Sequence, residues 1–190
     1  GLASTKDCEI PIVILFPEVS FDKDKFLAKV DANVKKFGYC TVVVSEGVKS
    51  ADGKFLADQG LRDAFGHAQL GGVAPVVAGI IKDGLGLKYH WGVADYLQRA
   101  ARHIASKSDV DQAYAMGKAA VDFALKGHNS VMPTIVRKSG KPYKWVVGMA
   151  PLDKVANVEK MMPADFIAPD GFGITAKCRN YLEPLIKGED

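Results

Sequence analysis

The stretch Ile10–Phe16 (IPIVILF), closed by Pro17, decides the fold of this chain. An uninterrupted apolar run of this length predicts a strand that is buried on both faces, as is typical of parallel sheets. Residues 22–38 follow with a helical pattern, in which Asp22 is placed to cap the helix and a glycine ends it. Residues 41–45 (TVVVS) then form a β-branched run. These segments predict a βαβ unit, and the whole chain is expected to be an α/β protein with a mainly parallel sheet and helices on both faces.

Helical spacing recurs in later segments. It predicts a helix over residues 73–85 and is compatible with another over residues 93–104, with a short strand over residues 87–91 between them. A longer helix is predicted to begin at Ser108 and to end at Gly127. One face of this helix carries small residues and is expected to approach a sheet closely; it consists of Val110, Ala113, Gly117, Ala120 and Ala124.

The last third of the chain predicts a β-hairpin and a closing helix. Pro133 interrupts the apolar residues 130–136, which indicates an edge strand or a bulge. Ser139–Gly140 is a turn signal, and residues 143–147 return as the second strand. The final helix is predicted within residues 174–185.

Length and composition bound the possibilities. The chain has 190 residues, of which 48% are hydrophobic, so it can form one domain and part of another. Residues 1–92 are expected to form an α/β domain, and residues 93–190 to add return segments and closing helices to a second domain whose remainder lies outside this sequence. The net charge of +3 comes without any block of basic residues, which argues against nucleic acid as a partner.

The sequence also bears on membranes, disulfides and metal ligands. The apolar runs are too short to cross a bilayer, so no membrane partner is expected. The three cysteines are odd in number and widely spaced, which fits reduced thiols in the cytoplasm. The four histidines lack metal-ligand spacing such as H-x-x-x-H, so no metal ligands are expected in this chain.

Acidic residues follow both strands of the predicted βαβ unit. Glu18 comes after the first strand and Glu46 after the second. Ligands of open α/β sheets bind outside the carboxyl ends of strands, and a carboxylate there can accept hydrogen bonds from the hydroxyls of a sugar. Each acid could equally cap a nearby helix or loop.

A second candidate cluster lies at Tyr96-Leu97-Gln98-Arg99. If residues 93–104 are helical, Tyr96, Arg99 and His103 share a face, and an arginine there can bind a phosphate in bidentate fashion. Lys88 and His90 could join the same pocket from the preceding segment. The alternative is a solvated basic helix face, with Lys88 and His90 as ordinary strand residues. With Glu18 on the sugar and Arg99 on the phosphate, the pattern predicts a sugar-phosphate site.

Five motifs in this order carry a resemblance to a known family: Phe16-Pro17-Glu18, Val44-Ser45-Glu46-Gly47, residues 66–72 (GHAQLGG), Tyr96-Leu97-Gln98-Arg99 and residues 169–175 (PDGFGIT). They resemble the phosphofructokinase superfamily, and most closely its pyrophosphate-dependent branch. The resemblance implies that Glu18, Tyr96 and Arg99, with Lys88 and His90, contact fructose 6-phosphate. It also implies a cytoplasmic enzyme of glycolysis that uses pyrophosphate and magnesium, and assembly into dimers or tetramers.

Motifs that the family carries upstream are missing from these residues. They include the glycine-rich phosphate loop, the magnesium site and the segment with the catalytic base. The chain is therefore expected to be the C-terminal part of such an enzyme, with no catalytic residue of its own and no activity alone. Two alternatives stay open: an ATP-dependent phosphofructokinase, and a non-catalytic sugar-phosphate-binding or regulatory module.

Overall fold

The computed structural model describes residues 1–5, 8–62, 68–70 and 72–188; within them, the side chains of residues 59–62, 68–70, 98 and 99 are not described. The chain divides into two compact units. Unit 1 contains residues 1–94 and 162–175, and unit 2 contains residues 95–161 and 176–190.

Unit 1 begins with the βαβ unit that the sequence predicts. Strand β1 (Ile12–Leu15) pairs in parallel with β2 (Thr41–Val44), and helix α1 (Lys23–Phe37) connects them. The Asp22 carboxylate accepts hydrogen bonds from the N–H groups of Asp24 and Lys25 and so caps α1 at its start. Gly38 ends the helix at φ +81°, a left-handed conformation that favours glycine. The predicted βαβ unit, with its cap and its stop signal, is confirmed.

An apolar core lies between these elements and helix α2 (Val73–Leu85), which the sequence also predicts. Its buried residues come from β1, α1, α2 and the loops that follow β2: Val13, Leu15, Phe26, Val30, Val48, Ala57, Val73 and Val77. The burial along β1 alternates between full and partial, and Val43 on β2 is 50% exposed. The sequence predicts that strand β1 is buried on both faces, but one face of the sheet is only partly covered in this chain.

Two elements of unit 1 differ from the sequence-based expectation. An antiparallel pair, β3 (Asp58–Arg62) and β4 (Ala68–Leu70), forms where the sequence predicts no strand. The motif residues Gly66, His67 and Gly71 lie outside the described residues. The strand predicted over residues 87–91 is absent. This segment follows Gly86, which ends α2 in the left-handed conformation, and it has no regular structure.

Residues 162–175 return to unit 1 and run beside β1. The N–H of Ile14 in β1 donates to the carbonyl of Phe172 at 2.9 Å, and Phe172 packs against the apolar core. Lys29 of α1 forms an ion pair with Asp170 at 2.8 Å. This segment therefore occupies the edge of β1 that β2 leaves open.

Unit 2 starts with a short helix, α3 (Leu97–Ala100), followed by a 3₁₀ turn over Arg102–Ile104. The backbone leaves helical geometry at Ala101, where ψ is 44°, so residues 93–104 do not form the continuous helix that a shared face of Tyr96, Arg99 and His103 requires. Helix α4 (Lys107–Leu125) then follows. Its N-cap is Ser106, two residues before the predicted Ser108. The Ser106 hydroxyl donates to the Leu185 carbonyl, and the Lys107 N–H donates to that of Gly188.

The buried face of α4 also differs from the prediction. The structure buries Ser108, Gln112 and Ala119, whereas Gly117 and most of the small residues around it are exposed. Small size alone does not identify the packed face, and here the Gln112 amide is drawn inward by a hydrogen bond of 2.6 Å to the Tyr143 hydroxyl.

The predicted hairpin is confirmed and is longer than expected. Strand β5 (Val131–Gly140) pairs antiparallel with β6 (Tyr143–Pro151), so the connection lies at residues 141–142 rather than at Ser139–Gly140. Pro133 sits within the pair opposite Met149, and the register shifts between Arg137 and Ser139. Helix α5 (Ala176–Leu182) and a 3₁₀ turn over Glu183–Leu185 close the chain, as the sequence indicates.

The fold class is α/β, with a parallel sheet and helices as expected; the two other strand pairs in the described part are antiparallel. None of the three cysteines, all of which are described, forms a disulfide. Among the described helices, none has both the length and the apolar character needed to cross a membrane.

Candidate functional site

The carboxyl ends of β1 and β2 lie side by side and each continues into a tight turn. Leu15 and Val44 are the last paired residues. Val19 N–H then donates to the carbonyl of Phe16, and Val48 N–H donates to that of Ser45, at 3.1 and 3.2 Å. The two predicted acids, Glu18 and Glu46, lie within these two turns. The sheet therefore brings the two strand ends to one edge, as the sequence predicts for parallel strands.

Close packing holds the two turns against each other. A Cβ atom added to Gly47 would lie 3.3 Å from the Cβ and Cγ atoms of Pro17. This distance is close to the limit for carbon atoms in contact, so the glycine allows the second turn to approach the first. The motifs Phe16-Pro17-Glu18 and Val44-Ser45-Glu46-Gly47 thus approach each other closely at Pro17 and Gly47.

Glu18 is half-buried and has one defined partner, whereas Glu46 is exposed. The Met162 N–H donates to the Glu18 Oε1 at 2.8 Å. Within the described part of the chain, no hydrogen bond to the other carboxylate oxygen, Oε2, is observed. A carboxylate with one oxygen held and one available is suited to accept a hydrogen bond from a ligand hydroxyl.

A cleft of about 210 Å³ opens at the same edge of the sheet. Phe16, Phe21, Val48 and Phe172 contribute its apolar lining, and Asp22 and Asp170 lie at its polar side. Both carboxylates are engaged within the protein, Asp22 by the start of α1 and Asp170 by Lys29 and the Phe172 N–H. Their hydrogen bonds hold the loops around the cleft rather than offering free acceptors.

Charge pairing affects the titration of one of these acids. Partial burial raises the pKa of the Asp170 carboxyl, but the hydrogen bonds from the Lys29 ammonium and the Phe172 N–H outweigh this effect. The pKa of Asp170 therefore lies below its ordinary value, and the ion pair with Lys29 persists throughout the neutral range.

The remaining predicted residues of unit 1 are Lys88 and His90. Both are exposed and lie in the irregular segment after α2. They belong to the same unit as Glu18. Their contact with a ligand stays a prediction.

Tyr96 and Arg99 belong to unit 2. Tyr96 is the N-cap residue of α3, its carbonyl accepts the Ala100 N–H at 3.0 Å, and its side chain is 68% exposed. The backbone of Arg99 lies in the same helical turn, and its side chain lies outside the described part of the chain. His103 falls beyond the break at Ala101, so it does not continue this helical face. Convergence of Tyr96 and Arg99 with Glu18 stays a prediction.

Sequence reasoning missed the Met162 backbone N–H as a partner of Glu18. The donor is a main-chain group 144 positions further along the chain, so no residue type signals it. The one sequence signal is Pro163, which favours extended backbone at the preceding residue and lacks an N–H of its own.

The described residues contain no group of three or more His, Cys, Asp or Glu side chains that could hold a metal ion. The magnesium site that the family resemblance implies is expected in the upstream part of the enzyme, outside this chain.

Comparison with known proteins finds relatives and a solved structure that match the whole chain. No family model matches the chain. The chain is 64% identical over all 190 residues to "Pyrophosphate--fructose 6-phosphate 1-phosphotransferase" of Methylococcus capsulatus and 61% identical to the protein of that name from Halomonas elongata, covering 45% of each. The crystal structure of a pyrophosphate-dependent phosphofructokinase from Nitrosospira multiformis superimposes on the whole chain with a TM-score of 0.83 and 71% identity, over 44% of that structure's chain.

The chain thus spans slightly less than half the length of the relatives that it matches. The match covers the whole chain and therefore both units. Over its whole length the chain is thus similar, in sequence and in fold, to the C-terminal part of pyrophosphate-dependent phosphofructokinases.

Proposed function

We propose that this chain is the C-terminal portion of a phosphotransferase that reversibly transfers a phosphoryl group between pyrophosphate and fructose 6-phosphate. The observation that carries the proposal is the identity of 64% over the entire chain to a protein with that name. On this proposal the chain supplies part of the fructose 6-phosphate site and is inactive alone, because it spans only 45% of that relative.

Glu18 is proposed to accept hydrogen bonds from hydroxyls of the sugar. Its support is the position at the carboxyl end of β1, together with the single internal hydrogen bond of its carboxylate. Tyr96 and Arg99 are proposed to bind the phosphate group of the same substrate, with Lys88 and His90 as additional polar contacts. Guanidinium groups bind phosphate oxygens bidentately, which fixes orientation as well as adding affinity.

The chemical contribution of these residues is positioning. Phosphoryl transfer requires the acceptor hydroxyl in line with the phosphorus that it attacks, and holding the sugar in that geometry makes the step effectively unimolecular. The charge on the transferring group must also be neutralised, which magnesium would do when bound. The ligands of that ion and the catalytic base are proposed to lie in the part of the enzyme outside this chain.

The domain assignment follows the same proposal. Residues 1–92 would form the sugar-phosphate-binding α/β domain, and residues 93–190 would contribute return segments and closing helices to a second domain. We further propose that the enzyme acts in glycolysis in the cytoplasm and that it assembles into a homodimer or homotetramer.

Arginine replacement in the full-length protein tests the proposal. We expect Arg99→Ala to raise the KM for fructose 6-phosphate roughly 10- to 100-fold, the value of one charged hydrogen-bond pair, while the KM for pyrophosphate changes little. Arg102→Ala is the matched control, because Arg102 lies beyond the break at Ala101, and it should leave both constants nearly unchanged. Equal losses for the two substrates would count against the assignment of Arg99.

The phosphoryl donor is tested separately. The full-length protein is assayed with pyrophosphate and with ATP at saturating fructose 6-phosphate, and the 190-residue chain is assayed alone under the same conditions. We expect turnover with pyrophosphate only, and none with the isolated chain. Turnover with ATP in place of pyrophosphate would favour an ATP-dependent phosphofructokinase, and sugar-phosphate binding without turnover by the full-length protein would favour a binding module.

A further inference from the structure

We propose that the backbone N–H of Met162 is a positioning group for Glu18, which holds the carboxylate by its Oε1 so that Oε2 is the acceptor for the sugar. The inference rests on the proposed function insofar as Glu18 contacts a sugar. It adds a residue that no sequence motif includes and a physical reason for the return of residues 162–175 to unit 1.

The geometry of the contact is that of a strong hydrogen bond. The N–H to Oε1 distance is 2.8 Å, which is within the range for a donor facing an ionised carboxylate. Glu18 and Met162 are both half-buried, so water competes for the bond less than it would at an exposed site. The second oxygen keeps its capacity to accept, because each carboxylate oxygen carries its own lone pairs.

The donor sits on a firmly held segment. Pro163 restricts the backbone of Met162, and the Pro163 carbonyl accepts the Phe166 N–H at 2.9 Å to begin the turn that follows. Phe166 in turn accepts the Thr175 N–H at 2.9 Å, and the Phe172 carbonyl is bound to Ile14 of β1. The segment that carries the N–H is thus held by main-chain hydrogen bonds within itself and by one to β1, the strand that precedes Glu18.

The energetic benefit comes from preorganisation. A free glutamate side chain samples several rotamers, and fixing one of them on binding costs conformational entropy. If Met162 holds the carboxylate before the substrate arrives, this entropy is already lost in the free protein and does not weaken substrate binding. Loss of the N–H should therefore weaken sugar binding without changing the chemistry that follows.

A pair of variants at position 162 of the full-length protein tests this. Met162→Pro removes the N–H, whereas Met162→Ala retains it and controls for the side chain. We expect the proline variant to raise the KM for fructose 6-phosphate about 10-fold, with kcat and the KM for pyrophosphate changed less than about twofold; the alanine variant should behave like the wild type. A proline variant with an unchanged KM for fructose 6-phosphate would overturn the proposal.

Residue-resolved hydrogen exchange provides a second test that does not depend on activity. The Met162 amide should be protected in the wild type and should exchange at least 10-fold faster in Glu18→Ala, while the Phe172 and Thr175 amides keep their rates. If the proline variant does not fold, this measurement decides: equal exchange of the Met162 amide in the wild type and Glu18→Ala overturns the proposal. If the Met162 amide loses protection in Glu18→Ala but the full-length wild type does not use fructose 6-phosphate, the positioning contact stands and the proposed function is wrong.

Discussion

Unit 1 and unit 2 are stabilised in different ways. Unit 1 encloses a cluster of eight buried apolar side chains, among which Val13 and Phe26 are 0% exposed. Among the described residues of unit 2, the buried ones are Ser108, Gln112, Ala119 and Cys178, two of which are polar. Large apolar side chains of unit 2 are instead exposed, such as Tyr114 at 78% and Leu125 at 82%.

The difference shows that a chain can form long regular secondary structure without burying an apolar core. Helix α4 and the β5–β6 hairpin are the longest elements of the chain, yet they bury little apolar surface. Apolar burial is the dominant favourable term in folding, whereas a hydrogen bond contributes only about 1 kcal/mol net. Unit 1 should therefore carry most of the stability of the 190-residue chain.

The largest expected effect is at the centre of the unit 1 core. Phe26→Ala removes a fully buried ring from α1 and should lower the free energy of unfolding by about 4 kcal/mol. Tyr114→Ala in unit 2 removes a ring of similar size that is mostly exposed, and it should change stability by less than about 0.5 kcal/mol. Urea denaturation of the chain gives both values, and similar losses would remove the distinction between the units.

A smaller effect is expected at the polar contact of unit 2. Gln112→Ala should cost about 2 kcal/mol locally, because it leaves the Tyr143 hydroxyl without the amide that binds it at 2.6 Å. A double-mutant cycle with Tyr143→Phe isolates the pair, with hydrogen exchange of α4 and the hairpin as the measurement. Strictly additive effects would show that this hydrogen bond does not hold the helix to the hairpin.

Glycine replacements compare the helices of the two units. A Cβ at Gly79 in α2 or at Gly117 in α4 would meet no atom within 4 Å, so alanine should stabilise either helix by about 0.8 kcal/mol. Gly84 in α2 is the matched control, since its Cβ would lie 2.5 Å from Leu27 Cδ1 and the clash should cancel the gain. Thermal melts and helix-specific hydrogen exchange measure these changes; equal stabilisation by all three would refute the packing of Leu27 on α2.

The smallest expected effect is the pH dependence of the Lys29–Asp170 pair. The folded-state pKa of Asp170 is lowered, so the pair contributes fully above the ordinary carboxyl value of about 3.9 and is lost as pH falls through the folded pKa. Because both side chains are more than a third exposed, Asp170→Asn should cost only about 0.5 kcal/mol at pH 7. The difference from the wild type should shrink below pH 4 in urea titrations.

A variant at Asp31 controls for the loss of a charge. Asp31 pairs with Lys35 within α1, so Asp31→Asn removes a carboxylate without affecting the segment at residues 162–175. A difference between wild type and Asp170→Asn that persists unchanged at pH 2 would show that the ion pair is not its source.

Local signals in the sequence determined much of unit 1. The apolar run at β1, the Asp22 cap and the Gly38 stop each act over a few residues, and each appears in the structure where the pattern indicates. The same applies to α2 and to the existence of the hairpin. The family resemblance, carried by short motifs, was recognisable for the same reason.

Only the tertiary structure decided which face of α4 is buried, where α4 begins, and which group holds Glu18. Each of these depends on atoms far away in sequence: the Tyr143 hydroxyl for Gln112, the Leu185 carbonyl for Ser106, and the Met162 N–H for Glu18. A backbone N–H is present at every residue except proline, so its identity as a partner follows only from position in space. The sequence by itself thus identified an acid at a strand end, and the fold supplied the group that orients it.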